Sequence, residues 1–286
     1  MSSRGEIIAT LERLGLKASK RRSQNFLFDD NQIRRILDFC DLCKNECVLE
    51  IGPGLGALTD NLLAITTNYT GVELDRGLFD HLVATHSSVR LFNRDILTVD
   101  PVELYSESPG KITVISNLPY HISSEVVLWL IAHRTKVKRA VLLLQREVAE
   151  RLAAAPGTRE SGSLSLQVNL YAEATLGPIV SGRSFFPAAD VESRVMQIRL
   201  RDEPLFKCDP GIFEDVARAA FGKRRKTILN SLLSSALTLT KAELEDALSK
   251  AGIDVNERAE RLGLESFVKL ANSVQPIVEN RKLTAE

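Results

Sequence analysis

The chain reads as an α/β protein, a doubly wound sheet followed by a small all-helical C-terminal domain. Five short runs, at 48–51, 69–74, 89–92, 112–116 and 140–144, are rich in Val, Ile and Leu and continuous where a half-exposed strand would alternate. Strands buried on both faces of a parallel sheet read that way, and the helical periodicity between them supplies the crossovers. Beyond Arg201 only helical patterns remain, at 213–239, 241–251 and 266–274, and Asp202-Glu203-Pro204 marks the change. The expected domains are therefore 1–202, with 1–46 as a segment preceding the sheet, and 203–286.

Taken in order, 1–15 carries Ile7, Ile8, Leu11 and Leu14 at helical spacing together with Glu6 and Glu12. That is a short amphipathic helix; a secretory signal needs an unbroken apolar run, and transit peptides avoid acids. No stretch approaches the roughly 18 apolar residues of a membrane span, so a cytoplasmic protein is expected. Cys40-x2-Cys43-x3-Cys47 lacks the second pair of a tetrahedral zinc site, and Cys208 stands alone, so no metal is expected. After the fifth run come the breaks Ala155-Pro156-Gly157 and Ser161-Gly162-Ser163, then two expected strands at 166–172 and 196–200.

The 286 residues hold 37 Lys+Arg against 37 Asp+Glu, a formal net charge of zero that by itself argues against a polyanionic partner. The basic residues are clustered, however: Lys17, Lys20, Arg21 and Arg22 precede the sheet, and Lys223-Arg224-Arg225-Lys226 stands in the helical domain. A charge run is commonly a solvated face, but two clusters in a neutral chain point to a confined electrostatic footprint.

Glu50-Ile51-Gly52-Pro53-Gly54-Leu55-Gly56 follows the first strand and opens a helix, a turn at which glycines let a ligand approach the backbone. About twenty residues on, Glu73 ends the second strand, where a carboxylate can accept from ribose hydroxyls. Both features serve nicotinamide cofactors and S-adenosylmethionine alike. Asn117-Leu118-Pro119-Tyr120, ending the fourth strand, separates them. The Asn117 side-chain oxygen and the Leu118 carbonyl are two acceptors able to hold the hydrogens of a delocalised exocyclic amine. Pro119 stiffens the backbone and Tyr120 offers a stacking face.

With Ser23-Gln24-Asn25-Phe26-Leu27, Arg94-Asp95-Ile96, Phe185-x-Pro187 and Val191-x-Ser193 added in order, residues 17–272 resemble the ribosomal RNA adenine dimethyltransferase family. Within it they resemble the small-subunit, KsgA-like branch, to which the segment from Phe221 through Asn230-Ser231-Leu232 is also similar. The resemblance implies a Rossmann-like, class I S-adenosylmethionine-dependent methyltransferase fold. It implies that 1–202 is the cofactor-binding catalytic domain, with 1–46 an N-terminal helical segment that closes over the cofactor through Asn25 and Leu27, and that 203–286 is an RNA-recognition domain. Gly52 and Gly54 would contact the cofactor's methionine portion, Glu73 would hold the ribose, and Asp95 and Ile96 would read its adenine. Asn117 would touch cofactor and target, and Phe185 would stack on the flipped base opposite Tyr120. Lys20, Arg21, Arg22, Lys223, Arg224, Arg225 and Lys226 are the expected phosphate grips.

The implied reaction is dimethylation of N6 of two adjacent adenosines near the 3′ end of small-subunit (16S-type) ribosomal RNA, in the RNA or a pre-ribosomal particle during ribosome biogenesis, by a monomer. A large-subunit, resistance-type dimethyltransferase and an RNA-binding assembly factor remain as alternatives, and the Asn-Leu-Pro-Tyr tetrad counts against a nicotinamide oxidoreductase. Ala188-Ala189-Asp190 departs from the family's proline-rich stretch with its Lys, and Glu125 stands where many members have Pro.

Overall fold

The computed structural model describes residues 4–16, 25–105, 110–223 and 225–285. Helix α1 (Arg4–Arg13) is followed by β1 (Phe26–Leu27) and α2 (Asp30–Cys40), then by β2 (Cys47–Ile51), α3 (Thr59–Ile65), β3 (Tyr69–Val72), α4 (Arg76–Thr85), β4 (Arg90–Phe92), α5 (Pro101–Leu104), β5 (Ile112–Asn117), α6 (Ser123–Ala132) and β6 (Val137–Gln145). Next come α7 (Arg146–Leu152), α8 (Ser163–Tyr171), β7 (Ala172–Val180), β8 (Phe185–Phe186) and β9 (Ser193–Leu200). Helices α9 (Pro210–Phe221), α10 (Ile228–Leu233), α11 (Lys241–Lys250) and α12 (Leu264–Ala285) complete the chain.

Seven strands form one sheet in the order β4-β3-β2-β5-β6-β9-β7, and β1 with β8 forms a separate two-stranded antiparallel ribbon. Strands β2 to β6 pair in parallel, whereas β9 runs antiparallel to β6. The sheet is thus mixed, with a parallel heart. All five residues of β2 are buried, Glu50 along with its four apolar neighbours, as a strand covered on both faces requires. The order reverses between β3 and β5 on either side of β2, and such a switch point opens a crevice at the carboxyl ends of the strands. Acidic caps start the helices that follow: Asp29 accepts from the Asn31 and Gln32 N–H groups before α2, and Asp75 from Gly77 and Leu78 before α4.

One expectation fails here. Residues 166–172 were expected as a strand, but 166–171 lie in α8 and only Ala172 belongs to a strand, as the first residue of β7. Leu164, Leu166, Val168 and Leu170 alternate as a strand would, yet Ser165 and Gln167 between them and Tyr171 after them are buried too. A helix covered on nearly all sides carries no readable period. The strand lies one element later, in β7, whose Gly177 and Pro178 argue against pairing within a sheet. Strand β7 is the last in the sheet order, where proline is tolerated.

The contacts divide the chain into two units, Met1–Glu150 with Glu173–Asp202, and Arg151–Ala172 with Glu203–Glu286. One crossing between the units follows Asp202, and 151–172 groups with the C-terminal helices instead of the sheet. The Leu205 N–H donates to the Leu170 carbonyl at 2.8 Å, and the Asn272 side chain to the Lys207 carbonyl at 3.2 Å, within this second unit.

Two helical readings also shift. The single pattern at 213–239 is broken between α9 and α10, and the basic run falls in that break. Helix α12 continues past Pro276, and its late turn is tied back by Arg281, which bonds the Glu243 carboxylate at 2.6 Å. Glu243 is held down to about 2 by hydrogen bonds from Thr240 and then from Arg281.

Candidate functional site

The chain leaves β2 through a loop in which Gly52 and Gly54 sit at φ +65° and +64°, a region that costs an L side chain roughly 1–2 kcal/mol. A Cβ on Gly54 would stand 3.5 Å from the Phe26 ring, so β1 closes directly over this loop. One face of β2 points Glu50 inward, where it is 2% exposed and accepts from the Tyr69 hydroxyl at 2.6 Å and the Thr59 hydroxyl at 2.7 Å. Burial pushes its carboxyl up to about 7 despite those bonds, with the nearby Glu73 and Asp60 charges adding to the rise.

Glu73 follows β3 and is also buried. Its Oε2 accepts from the Gly54 N–H at 3.0 Å and its Oε1 from the Asp75 N–H at 2.9 Å. Burial raises its pKa above the usual carboxylate value, and these backbone bonds oppose that rise. A carboxylate has about four lone-pair sites, so each oxygen keeps capacity for one more donor, such as the two hydroxyls of a vicinal diol. Asn93 fastens the end of β3 to the loop after β4 by donating to the Glu73 and Leu74 carbonyls at 2.8 and 3.0 Å.

Strand β5 delivers the third component. The Asn117 side-chain N–H donates to the Asn25 carbonyl at 3.1 Å, which orients the amide. Its Oδ1 accepts no hydrogen bond among the described residues. Pro119 holds φ −57° and ψ 128°, and Tyr120 opens the turn at 120–122 with its hydroxyl 2.9 Å from that of Ser193. That bond anchors the ring to β9.

These pieces line one cavity. Its wall includes Asn25, Leu27, Glu50, Gly52, Gly54, Glu73, Asn117, Leu118, Pro119 and Tyr120. Eight of the expected site residues are thereby brought together. Asp95 and Ile96 are not among the lining residues. They follow β4, which pairs with β3, and the Asp95 carboxylate caps the short turn at 96–98 by accepting from Leu97 N–H at 3.0 Å.

Phe185 was expected to offer an open stacking face, and in this structure it does not. The ribbon pairs Leu27 with Phe185, which directs both into the core with Ile33 and Ile36, and the Phe185 ring is 2% exposed. Its neighbour Phe186 points the other way, toward Phe26.

Sequence reasoning missed Ile7, Phe26, Pro53, Leu55, Leu58 and Leu78 as cavity residues. Their apolar character signalled burial but not what they would face. Cys40 is buried at the end of α2, where desolvation pushes its thiol up to about 12, and Cys43 is exposed. Among the described residues no group of three His, Cys, Asp or Glu side chains could hold a metal ion, and no helix is long and apolar enough to cross a membrane.

In the second unit, Lys223, Arg225 and Lys226 are exposed in the break between α9 and α10, and no described carboxylate pairs with them. The Lys226 N–H donates to the Lys223 carbonyl at 2.9 Å, which closes the turn carrying them. Lys20, Arg21, Arg22 and Arg224 lie outside the described residues.

In chemical terms, the cavity combines backbone at glycines, a carboxylate with capacity for a diol, and an amide oxygen beside an aromatic ring. The family model described as ribosomal RNA adenine dimethylase matches residues 15–276. A curated relative from Geobacillus sp., named ribosomal RNA small subunit methyltransferase A, is 36% identical over 277 residues, covering 94% of this chain and 95% of its own. Among solved structures, the 23S rRNA methyltransferase ErmE is 26% identical with a TM-score of 0.62, covering 88% of this chain and all of that one. A dimethyladenosine transferase from Plasmodium falciparum has a TM-score of 0.70 at 22% identity, over 86% of this chain and 95% of its own, and supports the fold.

Proposed function

This chain belongs to the ribosomal RNA adenine dimethylase family, and on that premise we propose that it dimethylates N6 of two adjacent adenosines near the 3′ end of small-subunit ribosomal RNA. The carrying observation is the convergence of the glycine loop, Glu73 and the Asn117-Leu118-Pro119-Tyr120 tetrad on a single cavity. The donor set fits S-adenosylmethionine: the free capacity of Glu73 suits its ribose, and the left-handed glycines leave backbone open to its methionine portion. When bound, that cofactor supplies a methyl group on a sulfonium.

The chain's own residues position the acceptor. Asn117, its N–H tied to Asn25, presents Oδ1 to the target amino group, and the Leu118 carbonyl takes the second hydrogen. Both acceptors gain in strength as the amine becomes positive during transfer, which is where preorganised dipoles contribute most. Tyr120, anchored on Ser193, gives the base a face. Asn25 and Leu27 close the cofactor in, and Asp95 and Ile96, after the neighbouring strand, read its adenine.

Lys223, Arg225 and Lys226 in the second unit grip phosphate, together with Arg224, Lys20, Arg21 and Arg22. The protein works in the cytoplasm as a monomer, on a folded pre-ribosomal particle. A small-subunit target is favoured over a large-subunit one because the curated relative at 36% identity carries the small-subunit name, whereas ErmE is at 26%.

The test is methyl transfer from labelled S-adenosylmethionine to small ribosomal subunits lacking the modification, with primer extension to locate the products. Two adjacent dimethyladenosines in the small-subunit RNA are expected. Labelling confined to large-subunit RNA, or none, would overturn the reading.

A further inference from the structure

Helix α1 has no part in the function described above, and its buried face shows where it belongs. Ile7 and Leu11, 2% and 5% exposed, pack with Phe26 and Leu78. The helix end is fixed in place: Gly15, at φ +64°, turns the chain back, and the Leu16 N–H donates to the Leu11 carbonyl at 2.9 Å. A Cβ on Gly77, in the first turn of α4, would meet the Leu16 methyls at 3.0 and 3.1 Å, so that glycine admits Leu16. At the other end the Arg4 guanidinium lies 5.8 Å over the Phe186 ring of β8. The helix therefore runs from α4, which follows Glu73, to the β1·β8 ribbon, which follows Asn25.

Ile7 also lines the cavity that Glu73, Gly54 and Asn117 line. We propose that α1 is a wall of the cofactor site, with Ile7 a further cofactor-binding residue, so that cofactor binding and α1 docking stabilise each other. This rests on the reading of that cavity as the S-adenosylmethionine site. A ten-residue helix is marginal on its own, so α1 persists by docking, and any ligand that touches Ile7 adds to that docking. Coupling of this kind is reciprocal. Dimethylation heightens the demand on it: each cofactor carries one methyl group, so a spent cofactor must leave and a fresh one enter between the two transfers on one adenine.

The experiment uses the full chain, with calorimetric titration of S-adenosylmethionine and amide hydrogen exchange across 4–13 with and without S-adenosylhomocysteine. Ile7→Ala is expected to weaken binding about tenfold, the share of a few buried methyl and methylene groups, while Ile7→Val retains most of the affinity. Exchange across 4–13 is expected to slow when the ligand is present. Wild-type binding with Ile7→Ala within twofold of it would overturn the inference and leave α1 a stabiliser of the fold alone. If Ile7→Ala fails to fold, unchanged exchange across 4–13 in liganded wild type would overturn it equally. Wild-type protein that binds no S-adenosylmethionine would instead overturn the reading of the cavity.

Discussion

Asn117 donates its side-chain N–H to the backbone carbonyl of Asn25 at 3.1 Å, joining the last residue of β5 to the segment that precedes the sheet. The bond uses one of the amide's two N–H donors, fixes which way the amide faces, and leaves Oδ1 to the cavity. Asn117→Ala should therefore reduce kcat by about 10²–10³. Affinity for S-adenosylmethionine should change by only about threefold, the net worth of one neutral hydrogen bond. Single-turnover methylation together with calorimetric titration separates the two effects, and a variant turning over at the wild-type rate would remove Asn117 from the chemistry.

Glu50 sets a pH dependence. Its carboxyl lies at about 7 in the folded protein, above its unfolded value, because burial disfavours the charge. A raised acid contributes stability that is fully present below the unfolded pKa and is lost as pH rises through the folded one. Denaturant midpoints of wild type relative to Glu50→Gln should fall between about pH 4.3 and 7 and level off above that. A difference that stays flat over the same interval would mean that the folded protein keeps Glu50 ionised.

Arg139 is 5% exposed and bonds both oxygens of Glu46 at 3.1–3.2 Å, as well as the Cys40 and Asp41 carbonyls. Removing it takes the guanidinium from a nearly buried carboxylate, which keeps the Thr113 hydroxyl, the Cys43 N–H and the half-exposed Lys138, and leaves two carbonyl acceptors unpaired by it. Arg139→Ala should cost about 3–5 kcal/mol in equilibrium unfolding, far more than an exposed pair such as Arg76 with Asp80. A loss below about 1 kcal/mol would place Glu46 in better contact with water than its burial indicates.

Lys223, Arg225 and Lys226, with which no described carboxylate pairs, should act through phosphate. Lys223→Ala, Arg225→Ala and Lys226→Ala should each weaken binding to small-subunit particles and lower the slope of log affinity against log salt by about 0.7–0.9 for each phosphate no longer gripped. Filter binding over a salt series measures this, and an unchanged slope in the triple variant would move RNA recognition elsewhere.

Much of the architecture is a property of the chain alone. Val48, Leu49 and Ile51 in β2, or Val114 and Ile115 in β5, are apolar on both sides, and only a strand covered on both faces makes use of that. The glycine loop, Glu73 and the Asn117-Leu118-Pro119-Tyr120 tetrad were legible for a related reason. Their chemistry depends on residue type and on position at strand ends, which local spacing encodes. Tertiary structure decided what each surface would be covered by. Alternating Leu and Val in α8 read as a strand because a helix buried on nearly every side leaves no period, and β7 was hidden by a proline that only an edge position accepts. Phe185 was legible as part of a motif, but pairing with Leu27 turned its ring into the core. Ile7 was legible as the buried face of a helix, and only the packing of α1 across Phe26 and Leu78 placed it on the cavity. Local pattern records how much of a side chain is covered; the partner that covers it is chosen by packing between segments distant in sequence.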